Sequence, residues 1–175
     1  MSSWTGTLTG RARVTELSAS MLRALIARRG SLMGIRSDVA TAFSPLPGRD
    51  YRGADLASAD LSGQWFKRYV FACANLRLAT LKRVHLLWAD LRWADLRGAT
   101  LRDGRISASD LRHADLRGAD LRGVTLGVAQ GNAGWRGCNL TDAKLDDADL
   151  RGVRYRPETI WPDGFIPEEA GAERM

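Results

Sequence analysis

The feature that most constrains this chain is a period of five. The triplet Ala-Asp/Asn-Leu recurs at Ala54-Asp55-Leu56, Ala59-Asp60-Leu61, Ala74-Asn75-Leu76, Ala89-Asp90-Leu91, Ala94-Asp95-Leu96, Ala114-Asp115-Leu116, Ala119-Asp120-Leu121 and Ala148-Asp149-Leu150. Looser copies, such as Ala79-Thr80-Leu81 and Ser109-Asp110-Leu111, fill the gaps. A large apolar residue therefore occupies every fifth position from Leu56 to Leu126, with Phe66, Phe71 and Ile106 as variants. Neither a helix, with its period of 3.6, nor a flat strand, with its period of 2, keeps such residues on one side. The chain must bend at regular intervals.

Tandem A(D/N)LXX over residues 53–155 resembles the pentapeptide-repeat family. The resemblance implies an all-β solenoid: a right-handed quadrilateral β-helix with four pentapeptides per coil. The central Leu or Phe and the small residue two before it then point inward, and the other three positions face solvent. Stacked coils bury a continuous apolar column and lie about 4.8 Å apart. Gln64 and Tyr69 fill slots that want Ala, so the coil there must widen or turn them elsewhere. The pattern lapses over 127–137 and resumes at Cys138-Asn139-Leu140, one residue out of register. Its glycines suit an irregular bulge or projecting loop better than a phosphate cradle, since no Lys-Ser/Thr pair follows them.

Two flanks complete the expected organisation. Residues 1–52 carry an amphipathic stretch over about 15–29, read as a short helix that caps the first coil or docks a partner, and then a Pro-Gly linker. Residues 156–175 read as an irregular C-terminal cap. Their prolines oppose ladder pairing, and Trp161, Phe165 and Ile166 offer apolar surface to the last coil or to a homodimer contact. Lys and Arg outnumber acids by eight to three over 1–52 and sixteen to twelve over 53–155, whereas acids lead five to two over 156–175.

The residues give little support to catalysis. His85 and His113 lack companions at metal-ligand spacing, and no nucleophile motif appears. The expectation is a protein without catalytic residues, metal or cofactor. Cys73 and Cys138 read as reduced thiols of a cytoplasmic protein, and no apolar run is long enough for a membrane helix.

Assigning the repeats to four faces isolates one of them. The first face holds Leu56, Leu76, Leu96 and Leu116, the second Leu61, Leu81, Leu101 and Leu121, and the fourth Phe71, Leu91 and Leu111. The third holds Phe66, Leu86, Ile106 and Leu126, and no aspartate precedes its central residues. Trp65, Lys67, Arg68, Arg83, His85, Leu87, Trp88, Trp93 and Arg105 are assigned to a basic, aromatic patch there, either a partner surface or rings packed under neighbouring segments. Three functions follow. The first is a protein-interaction scaffold using that face. The second comes from the resemblance: protection of a type II topoisomerase such as DNA gyrase from antibiotics or toxins by imitating duplex DNA, against which stands a formal charge of +6. The third, nucleic-acid binding by the patch, is least favoured because Asp columns lie nearby.

Overall fold

The computed structural model describes residues 49–127 and 137–175. The expected helix at 15–29, its linker, and nearly all of the 127–137 break lie outside the described residues.

Three of the four bends in each coil are set by one repeated turn. The backbone N–H of Ala59 donates to Leu56 O at 3.1 Å, and Ser58 between them has φ 58°. That is the signature of a type II turn, whose third residue must be left-handed. Glycine meets this demand at Gly53, Gly63, Gly98, Gly118 and Gly123, but residues as large as Arg83 and Trp93 adopt the same φ. Bonds to the next coil hold them there: Ser58 N–H donates to Arg77 O at 2.8 Å and Arg83 N–H to Arg102 O at 2.8 Å.

The result is a parallel β-solenoid of about five turns, with no helix among the described residues. Asp55, Asn75, Asp95 and Asp115 bridge in succession down the first face, and Asp60, Thr80, Thr100 and Asp120 down the second. Among the described residues only the third face forms strands, in one parallel sheet ordered along the chain: β1 (Trp65–Lys67), β2 (His85–Leu87), β3 (Arg105–Ser107), β4 (Thr125–Leu126), β5 (Arg154–Tyr155) and β6 (Glu173–Arg174). The repeat's Leu and Ala positions make the core, with Leu56, Leu76, Leu96 and Leu116 fully buried in one stack. Tyr69 turns inward rather than out. It is buried against Tyr51, Phe66 and Phe71, an aromatic layer in the first coil.

Register survives the lapse after Leu126. Asp90 bridges Asp110 at the usual spacing of 20 residues, and Asp110 then bridges Asn139 at 29, so this coil carries nine extra residues. Thr125 pairs with Arg154 as though nothing intervened. The apparent one-residue slip is an insertion confined to one corner.

The C-terminal segment also differs from expectation. It continues the ladder: Ile160 bridges Asn139, and β6 pairs with β5. The prolines do not prevent this because Pro157, Pro162 and Pro167 fall between the paired residues, where no N–H is required. Trp161 and Phe165 stack on each other at 5.5 Å and pack against the core, whereas Ile166 stays 52% exposed.

Candidate functional site: the third face

On three faces most of the aspartates and arginines are occupied with each other. Asp90 Oδ1 accepts the backbone N–H of Arg92 at 3.1 Å, a local turn in which the side chain substitutes for a backbone acceptor. The guanidinium of Arg92 then folds back onto the same carboxylate, with Nε–Oδ1 at 2.9 Å and Nη2–Oδ2 at 2.8 Å. The same two-pronged pair joins Asp95 to Arg97, Asp110 to Arg112, Asp115 to Arg117, Asp120 to Arg122 and Asp149 to Arg151. Three of these arginines, and Arg102 as well, also approach a carboxylate of the following coil, as in Arg97 Nε–Asp115 Oδ2 at 3.8 Å or Arg122 Nε–Asp149 Oδ2 at 3.3 Å, so that Asp and Arg alternate along the axis. The arginine hydrogen bonds hold Asp90, Asp95, Asp115 and Asp120 below the usual carboxylate range, and Asp149 down to about 2. These positions are expected to face solvent, yet the carboxylates are half-buried and turned back on their own chain.

The third face departs from this pattern at its corner as well as in its residues. The turn bond seen elsewhere is missing where the face ends: none joins Tyr69 to Phe66, Ala89 to Leu86 or Ser109 to Ile106. At the Leu86 and Ile106 corners a side chain from the next coil fills the gap instead. Ser109 is buried, accepts the Ala89 N–H at 3.1 Å, and shares its proton between Leu86 O and Ser107 O, each at 3.2 Å. One coil later Cys138 occupies the equivalent slot, its Sγ donating to Ile106 O at 3.2 Å, and burial pushes its thiol up to about 12. Both residues sit in the repeat's small-residue position, and that polarity is the sequence signal that marks the corner.

Outside this corner lies the patch. Trp65, His85 and Arg105 follow one another down a single column, continued by Thr125 and Arg154. The Trp65 indole stacks on the His85 imidazole with centroids 3.9 Å apart and planes 7° from parallel, yet Trp65 remains 55% exposed. Burial first, and Arg105 second, lower the pKa of His85. Along the exit corner, Lys67 Nζ and Arg68 lie 5.4 and 5.8 Å from the Trp88 ring centroid, within cation–π range. Leu87 is half-buried between these groups. Arg83 stands at the entry corner, where it lines a surface cavity with Lys82, Arg102 and Asp103.

Trp93 does not join this group. It projects from the corner after Leu91, between the fourth and first faces, and stacks on His113 at 4.0 Å. His113 Nδ1 in turn lies 3.4 Å from Asp142 Oδ2. Lys82, Arg102 and Arg154 are additions that sequence reasoning missed. The Lys82-Arg83 pair was the one visible sign of them. Among the described residues no three His, Cys, Asp or Glu side chains are grouped to hold a metal ion, and no helix is long and apolar enough to cross a membrane.

The sequence model of the family "Pentapeptide repeats" matches residues 66–98, 89–127 and 132–154, with eight copies. A pentapeptide repeat protein of Nostoc Pcc 7120 is 30% identical over 73% of this chain and 85% of its own, with a TM-score of 0.29. One from the cyanobacterium Cyanothece 51142 is 22% identical over 65% of this chain and 91% of its own, with a TM-score of 0.42. QnrB1, a plasmid-mediated fluoroquinolone resistance protein, is 22% identical over 58% of each chain, with a TM-score of 0.34. No curated protein matches.

Proposed function

The chain belongs to the pentapeptide-repeat family, and on that premise we propose that it is a non-catalytic protein-interaction scaffold whose third face is the contact surface. One observation carries this reading: Trp65 is 55% exposed on a coil that closes without it, beside Leu87 and Trp88. Core closure needs Phe66, which is fully buried, and nothing from Trp65. An exposed indole stacked on an imidazole, in a column that continues to Arg105, has the composition of an interface anchor. The free thiols of Cys73 and Cys138 accord with a reducing, cytoplasmic setting.

Protection of a type II topoisomerase by duplex mimicry is less well supported. A DNA mimic needs unpaired negative charge, and the aspartate columns of this solenoid are matched by their own arginines. The test is an affinity isolation run side by side with wild type, Trp65→Ala and Trp88→Ala. The expected result is a protein partner held by wild type and lost from both variants, with thermal stability unchanged. Equal recovery by all three would remove the third face from the function.

A further inference from the structure

We propose that the third face receives an acidic, extended protein segment laid along the solenoid axis. The inference rests on the scaffold reading above and names the chemistry of the partner. Its starting point is the distribution of uncommitted positive charge. Six arginines on the other faces are each committed to a carboxylate two residues away. Among the described residues, Lys67, Arg68, Lys82, Arg83, Arg105 and Arg154 have no carboxylate within 4.0 Å, and all six lie on the third face or its two bordering corners. Arg49, Arg77, Lys144 and Arg174, also without such a partner, are scattered over other columns or the ends of the solenoid. Asp103 and Glu173 are the nearby acids, one at the entry corner and one in the last strand.

The cations form two margins. Lys82 and Arg83 line the entry corner, and Lys67 and Arg68 the exit side, where Leu87 pairs with Lys67 and the Trp88 ring lies against both cations; Trp65 and His85 lie between the margins, with Arg105 below His85. A ligand that fits must therefore carry negative charge together with apolar side chains. An acidic peptide with interspersed Leu or Phe does so. Single-stranded nucleic acid fits less well: Trp65 supplies one stacking platform, whereas the Trp88 ring is taken up by Lys67 and Arg68. The half-buried Leu87 suits a protein side chain better than a phosphate. Four parallel pairings separate β1 from β5, which at about 4.8 Å each is about 19 Å, the reach of about six extended residues.

The experiment uses the full chain and three fluorescein-labelled probes: a twelve-residue peptide alternating Glu and Leu, its Lys/Leu counterpart, and a twelve-nucleotide oligothymidylate. Anisotropy is read at low and high salt. The expected result is binding of the Glu/Leu peptide alone, weakened about tenfold or more by Arg83→Glu with Arg105→Glu and several-fold by Trp65→Ala. Arg77→Glu, which reverses an unpaired charge on the first face, should leave it unchanged. Salt should weaken the binding, as exposed charge pairs are screened. No binding of the Glu/Leu peptide, equal losses from Arg77→Glu and the double variant, or tighter binding of oligothymidylate would each overturn the proposal. A partner recovered in a Trp65-dependent way together with a silent Glu/Leu peptide would leave the scaffold reading standing and remove only the acidic chemistry. Loss of both would remove both.

Discussion

The first and third faces of this solenoid bury the same kind of core and present opposite kinds of surface. Leu96 and Leu86 are both sealed inside, each stacked on its counterparts one coil away. Outside, the first face places Asp95 and Arg97 around its leucine and closes its corner with a backbone turn bond. The third face places His85 and Leu87 there, extends into strand, and closes its corner with Ser109. The difference teaches that interior and exterior are set by separate positions of the repeat. A solenoid can hold its core constant and still change one surface completely, because each side chain meets only its own coil and the neighbouring two.

Three measurements would break or sharpen this comparison. The largest effect is expected in the core, where the faces should behave alike. Leu96→Ala and Leu86→Ala should each destabilise by about 2–5 kcal/mol in denaturant unfolding, because each leaves a cavity in a continuous stack. A cost well below this on the third face alone would mean that its strands, rather than its leucine, hold it.

A smaller effect, and one specific to the third face, is expected from Ser109→Ala. It removes the only side chain bonded to Ala89 N–H, an interaction of 3.1 Å that replaces the missing turn bond. The expected loss is about 1–3 kcal/mol, the cost of buried polar groups left unpaired. Ser109→Cys should restore part of it, since Cys138 fills the same slot in the next coil.

The smallest effect is a separation in pH. The paired aspartates have folded pKa values below their unfolded ones, so their contribution is present above about pH 4 and is lost as pH falls toward about 2. His85 is also depressed in the folded state, so its contribution is complete above about pH 6.5 and declines as pH falls through its folded value. Melting temperature should therefore decline slightly below pH 6.5 and again, more steeply, below pH 4. His85→Gln should remove only the first step. Its persistence in that variant would show that the third face is not its origin.

The sequence alone determined that the chain bends regularly, because a large apolar residue at every fifth position fits neither helix nor flat strand. The resemblance carried by the same repeats implied four of them per coil, and from that the core and the faces follow, as Leu56 through Leu126 bear out. The sequence also singled out the third face, because the missing aspartates are visible in a plain listing of repeats. Other features were decided only by the tertiary structure. Whether Asp95 faces solvent or pairs with Arg97 depends on the turn that bends Arg97 back beside it. The lapse over 127–137 is visible in the sequence as a bulge or loop, but that the coils on either side keep their register across it is not, because register is enforced by hydrogen bonds to the coil before, Asn139 N–H to Ser109 O among them. Trp93 belongs with His113 rather than with Trp65 because left-handed corner residues stack along their own column. Ser109 and Cys138 look like imperfect alanines in one dimension. They become corner supports only when the next coil brings them against an open turn, a contact between residues 20 or more apart that no local reading contains.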